Sequence, residues 1–135
     1  MIVGIGLDIV ELSRMAKMDR CCLDKFAARV LSLVELDEWN QIEHLRRKVE
    51  FLAGRFAVKE AVAKAFGTGI GKSMFFQDIG VVKDQNGKPD VVLTGRAKST
   101  STDRGVSYIW ISISHSSQFA VAQAILEKKY AESND

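Results

Sequence analysis

The stretch FLAGRFAVKEAVAKAFG, Phe51 to Gly67, sets the tightest limit on how this chain can fold. Phe51, Leu52, Phe56, Val58, Val62, Ala63 and Phe66 fall around nearly the whole circumference of a helix. A helix that is apolar on almost every side is buried. Yet the same stretch carries Arg55, Lys59, Glu60 and Lys64. A charge taken out of water must find a partner or a ligand, because an unpaired one costs several kcal/mol. Glu60 and Lys64 stand four residues apart and share a helical face. Two readings follow. In one, Glu60 and Lys64 form an internal ion pair while Arg55 and Lys59 snorkel to water. In the other, one carboxylate serves a metal and several cations serve phosphate groups.

A second acid sits in an apolar strand. Ile2 to Val10 is β-branched-rich and punctuated by glycine, which predicts a buried strand. Alternation places Asp8 on the face of Gly6 and Val10, where a core residue is expected. Small glycines beside an in-strand acid leave room for a ligand. The other reading is a strand-end acid facing solvent. Asp8 and Glu60 together offer two oxygen ligands, which suits Mg²⁺. His115 lies between Ser114 and Ser116 at a strand end. It can donate to a phosphate or serve as a capped loop residue. Nothing around it resembles a nucleophile elbow, and no second His or Cys sits at metal-ligand spacing. His44, in the polar run EHLRRK, reads as exposed.

The sequence AFGTGIGKS, Ala65 to Ser73, suggests a phosphate loop but lacks its spacing. A Walker A loop needs four residues between its glycine and Gly-Lys-Ser, and it follows a strand. Here a helix precedes, and the glycines read as a helix stop. Beyond them, IGVVKD and DVVLTG flank QNGK, a hairpin signal, with Pro89 suited to open the outgoing strand. Arg96 to Arg104 predicts a helix closed by Gly105, and VSYIWISIS with FAVAQAIL predicts a second hairpin. Ser13 to Leu33 reads as one helix or two, and ELDEWNQI as another with acids in its first turn. The order predicts an α+β fold: a mostly antiparallel sheet packed with a long central helix.

The chain has 135 residues, suited to one domain, taken as 1–127 with a fraying tail at 128–135. It is 47% hydrophobic and 27% charged, as soluble domains are. No apolar run reaches the roughly 20 residues of a membrane helix. The apolar start lacks a basic region and is broken by Asp8, so it is no signal peptide, and a cytoplasmic protein is expected. Adjacent Cys21 and Cys22 read as free thiols. A net charge of +2 is too small to demand nucleic acid. Arg14, Lys17, Arg20, Lys25 and Arg29 nevertheless crowd one early segment.

Three stretches carry a resemblance. GIGLDIVE (Gly4–Glu11), FLAGRFAVKEAVAKAFGTGIG (Phe51–Gly71) and ISISHS (Ile111–Ser116) resemble, in order and spacing, the motifs of the holo-(acyl-carrier-protein) synthases, the small bacterial phosphopantetheinyl transferases. The resemblance implies transfer of 4′-phosphopantetheine from coenzyme A to a serine of apo acyl carrier protein, within fatty acid biosynthesis. It implies Asp8 and Glu60 as Mg²⁺ ligands, Lys64 as a phosphate-neutralising cation and Glu60 as candidate base. It implies a homotrimer with active sites between subunits, His115 and Ser116 reaching the 3′-phosphate of coenzyme A from a neighbour. Lys88 would lie near the adenosine, Arg55 near a phosphate, and Gly67, Gly69 and Gly71 close to the ligand. Arg14, Met18, Lys25 and Phe26 would dock the acidic carrier. Cys21, Cys22 and Asp24 thin the positive stripe that several relatives carry there. The competing readings are a transferase for carrier proteins of secondary metabolism, a catalytically silent interaction protein, or a basic nucleic-acid-binding module.

Overall fold

The computed structural model describes residues 1–130. The elements in chain order are β1 (Ile2–Glu11), α1 (Leu12–Ala16), α2 (Arg20–Val30), α3 (Leu33–Gln41), α4 (Leu45–Phe66), β2 (Ile79–Lys83), β3 (Pro89–Leu93), α5 (Gly95–Asp103), β4 (Tyr108–His115) and β5 (Phe119–Glu127), with a short 3₁₀ turn at Phe76–Asp78. The fold is α+β, with two antiparallel sheets. One has three strands in the order β1-β5-β4, and the other is the β2–β3 hairpin alone. The segment before Leu33 forms two helices, and α3 begins two residues earlier than its acidic run suggests. Ser32 caps α3 in a reciprocal capping box with Glu35.

The all-round apolar helix is the core, as its pattern requires. α4 lies across one face of the three-stranded sheet, and Leu52, Ala53, Ala57, Val58, Ala61, Val62 and Ala63 are fully buried. The facing residues are small. Ala120, Ala122 and Ala124 of β5 are buried against it, and on β1 the inward positions are Gly4 and Gly6. A Cβ on Gly6 would stand 2.0 Å from the Ala61 carbonyl oxygen, and one on Gly4 would stand 2.3 Å from that of Ala65. This corrects the expectation that these glycines open space for a ligand. Their missing side chains are filled by the backbone of α4, which rests directly on β1. The close approach fixes the height of Asp8, the next inward residue, beside the helix.

Gly67 ends α4 in the left-handed conformation, φ 73°. Its N–H donates to the Lys64 carbonyl, and the Thr68 N–H donates to Ala63, which closes the last turn. The hairpin loop turns through Gly87 at φ 80°, and Pro89 opens β3. At the C-terminal end, the Lys128 N–H donates to the Met1 carbonyl and the Lys129 N–H to Ser107 Oγ. The remainder of the expected tail, 131–135, lies outside the described residues.

The packing separates two kinds of glycine. Gly6→Ala should cost more than about 3 kcal/mol in chemical denaturation, or prevent folding, because the obstacle is backbone. Gly69 has a positive φ but nothing within 4 Å of an added Cβ. Gly69→Ala should therefore cost only the left-handed conformation, about 1–2 kcal/mol.

Candidate active site

The C-terminal half of α4 and the middle of β1 bring Asp8, Glu60 and Lys64 together. Lys64 Nζ donates to Asp8 Oδ1 at 2.9 Å and to the Leu7 carbonyl at 3.1 Å. In place of the Glu60–Lys64 pair of the first reading, the structure pairs helix with strand. The reason is the glycine contact, which carries β1 within reach of the lysine. Asp8 is mid-strand with its side chain 14% exposed, which removes the reading of a solvent-facing strand-end acid. Glu60 is half-buried. Burial pushes its pKa above the ordinary glutamate value, the charge of Asp8 pushes it further, and Lys64 and Arg14 pull it back. Burial and a neighbouring carboxylate both work against ionised Glu60, so an added cation would favour its charged form. Among the described residues no group of three His, Cys, Asp or Glu is placed to enclose a metal.

Arg14 reaches this group from α1. Its guanidinium stands 5.9 Å from the centre of the Phe56 ring, one helical turn before Glu60. Phe26 packs on the same ring at 5.3 Å between centroids. Met18 is half-buried, and Lys25 is exposed on α2. The four carrier-docking candidates thus lie on α1, α2 and the turn joining them, and of these Arg14 acts on Glu60.

Arg55 and Lys59 do not snorkel. Both are buried and bound to Glu35. Lys59 Nζ donates to Glu35 Oε1 at 2.6 Å and to the Val30 carbonyl at 2.7 Å, and Arg55 Nε stands 3.4 Å from Glu35 Oε2. Burial lowers the pKa of both cations, and the Glu35 carboxylate opposes that shift. Arg55 also lies five residues before Glu60, about 140° around the helix. The structure therefore groups Arg55 with Glu35 rather than with Glu60 and Lys64. The signal for Glu35 was Ser32-x-x-Glu35, a capping-box spacing. One carboxylate serves both the cap and the buried lysine, since Oε1 also accepts from the Ser32 N–H at 2.9 Å.

His115 ends β4 and Ser116 opens the turn to β5, toward the other end of α4. The His115 ring rests on Gly54, with Nε2 3.2 Å from the Glu50 carbonyl oxygen. Ser116 Oγ accepts from the Gln118 and Phe119 N–H groups. Exposed Arg46 donates to the Ser117 carbonyl at 2.8 Å, which adds a cation that the sequence reading left in a plain polar run. Glu50 and Glu60 are ten residues apart on the helix, roughly 15 Å. A single chain therefore does not bring His115 to Asp8 and Glu60. Lys88 is exposed on the hairpin, over the ring of Trp110. Gly67, Gly69 and Gly71 all have positive φ, with open space where side chains would stand.

The family model described as the 4′-phosphopantetheinyl transferase superfamily matches residues 4–124. The chain belongs to that superfamily. Within it, the holo-(acyl-carrier-protein) synthase of Bacillus subtilis (strain 168) is 47% identical over 128 residues, covering 95% of this chain and 98% of that one. The solved holo-(acyl-carrier-protein) synthase of Neisseria meningitidis superposes with a TM-score of 0.86 at 38% identity, over 95% of this chain and 100% of that one. The enzyme of Bacillus anthracis, solved in complex with CoA (3′,5′-ADP), gives a TM-score of 0.80 at 45% identity, over 96% and 99% of the two chains.

Two measurements test the electrostatics. In metal-free protein, carbon-13 NMR should place the Glu60 midpoint above the ordinary glutamate range. Asp8→Asn should lower it and Arg14→Gln should raise it further. By linkage, ionising Glu60 costs stability, and that cost appears as pH rises past the ordinary glutamate pKa. Glu35→Ala should destabilise the fold by about 3–5 kcal/mol, because two buried cations lose their carboxylate.

Proposed function

We propose that this chain is a cytoplasmic transferase, with its domain at 1–127, that moves 4′-phosphopantetheine from coenzyme A to a serine of apo acyl carrier protein. The products are the holo carrier and 3′,5′-ADP, and the pathway served is fatty acid biosynthesis. The observation that carries the reading is the grouping of Asp8, Glu60 and Lys64 beside an open glycine loop, in the fold of enzymes named for this reaction.

The carboxylate pair fits Mg²⁺, which is commonly held by one or two carboxylates together with waters and substrate phosphates. Held by Asp8 and Glu60, Mg²⁺ would supply charge neutralisation to the pyrophosphate and its leaving group. Lys64, half-exposed at the last turn of α4, adds a cation for the same phosphates. The serine oxygen forms a bond to the phosphorus that carries pantetheine, and the bond from that phosphorus to the oxygen of 3′,5′-ADP breaks. Glu60 accepts the serine proton, directly or through a water. Gly67, Gly69 and Gly71 let backbone approach the ligand. Arg14, Met18, Lys25 and Phe26 receive the acidic carrier, with charge steering the encounter.

The active unit in this reading is a homotrimer. On the edge strand β1, the sheet face away from α4 exposes Ile5 (63%), Leu7 (52%) and Ile9 (59%), an apolar surface that suits burial against another copy. Such an assembly supplies what one chain lacks, a neighbour's His115 and Ser116 for the 3′-phosphate of the coenzyme A held at Asp8 and Glu60, with Lys88 at the adenosine. Arg46, next to the His115 turn and paired with Glu50 at 3.0 Å, is a further cation at that end of α4.

Incubation with apo acyl carrier protein, coenzyme A and Mg²⁺ should add one phosphopantetheine to one carrier serine by mass spectrometry. No adduct, with a known transferase active on the same batch, overturns the reading. Glu60→Gln should lower turnover at saturating Mg²⁺ by about 10²-fold or more, and near-normal turnover removes Glu60 as the base. Sedimentation should give three times the mass of the chain.

A further inference from the structure

The β2–β3 hairpin is not part of the main sheet. Among the described residues no backbone hydrogen bond joins β3 to β4, although the two strands lie side by side. Its base is anchored by buried Ile79 and Val81, but its tip is exposed. The tip is internally stiff. Asp84 Oδ1 accepts from the Asn86 and Lys88 N–H groups at 2.8 and 2.9 Å, and the Asp84 N–H donates to the Lys88 carbonyl at 2.8 Å. A stiff tip on a separate hairpin moves as a unit, so whatever touches its outgoing end decides where it stands.

Two aromatic side chains on the outer face of β4 make that contact. Lys88 Nζ lies 5.4 Å from the centre of the Trp110 ring. The Tyr108 hydroxyl donates to Asp90 Oδ1 at 3.3 Å. The two rings pack on each other at 4.2 Å between centroids, and Trp110 Nε1–H donates to Glu127 Oε1 at 3.3 Å. Trp110 is thereby held from both sides and presents a ring face to the lysine. A cation over an indole face is the strongest of the aromatic–cation pairings.

We infer that Tyr108 and Trp110 are positioning residues for the nucleotide end of coenzyme A, acting through the hairpin tip they seat. The inference rests on the transferase reading above, which puts Lys88 at the adenosine. The aromatic seat directs the lysine along the sheet's outer face and restricts the wandering of the loop. Binding of the nucleotide then loses less conformational entropy than it would on a free loop. The pantetheine end and the carrier serine are reached by other residues, so the seat affects affinity for coenzyme A without affecting the chemical step.

The probe is 3′,5′-ADP, titrated by calorimetry into the full chain, alongside steady-state kinetics. Trp110→Leu should weaken 3′,5′-ADP binding and raise KM for coenzyme A by about two- to fivefold, the size of an exposed cation–π contact. kcat at saturating coenzyme A and KM for the carrier should stay within about twofold of the parent. Trp110→Phe, which keeps a ring under the lysine, should recover most of the affinity. Asp90→Ala releases the Tyr108 tether from the hairpin side, away from the apolar sheet face, and should weaken binding in the same direction. If the parent binds 3′,5′-ADP and both Trp110→Leu and Asp90→Ala bind it equally well, the seat has no such role. A fall in kcat matching the fall in affinity also overturns it. A parent chain that does not bind 3′,5′-ADP at all overturns the coenzyme A reading instead.

Discussion

The contact between β1 and α4 is the constraint on which the rest of this structure depends. Backbone meets backbone there, because Gly4 and Gly6 carry no Cβ and the alanines of α4 and β5 add almost nothing to the separation. The alternation of the strand then sends Asp8 inward at the next position. The 3.6-residue period of the helix sends Glu60 and Lys64 toward it from Ala61 and Ala65. A sheet set farther out would still be a sheet. Lys64 would then have no strand carbonyl and carboxylate to hold, and the two acids would not sense one another.

From Arg55 to Lys64, α4 manages four charges in two different ways. Arg55 and Lys59 are fully enclosed and share Glu35, which also caps α3. That group ties the end of α2 and the start of α3 to the middle of α4 through bonds to Val30 and Glu35. It is a structural group, neutralised within the chain apart from one excess cation. Glu60 and Lys64, one turn later, stay partly open to solvent and are not mutually satisfied. Charge that the fold leaves uncompensated at an accessible place is available for a ligand. The division follows from position alone: the first pair faces the helical layer, and the second faces the free edge of β1.

Much of this is legible in the sequence. The all-round apolar pattern identified the central helix, and Gly67 its end. The Asn-Gly hairpin, the two closing strands and the α+β class followed from periodicity and turn chemistry. Asp8 and Glu60 stood out as charges where apolar residues were expected. The partners were not legible. Glu60–Lys64 spacing is good for an ion pair within a helix, and nothing local says that a strand fifty residues earlier takes the lysine instead. Snorkelling is the ordinary fate of long cations, and only the packing of α2 and α3 over α4 shows that Arg55 and Lys59 cannot reach water. The glycines of β1 looked like room for a ligand, because a missing side chain and a helix backbone pressed against it leave the same trace in one strand.

By itself, the sequence determined the elements, the residues with chemistry to offer and the family motifs they compose. Those are properties of local period, residue type and spacing, and they survive without knowledge of what packs on what. Tertiary structure alone decided which charges pair and which remain available. It also decided that His115 lies at the far end of α4 from Glu60, and that Lys88 is seated on Trp110. Each of these depends on the distance between segments remote in the chain, and electrostatic and hydrogen-bond energies change over a few ångströms. Residue type names the candidates for a site, and the separation set by packed backbones selects among them.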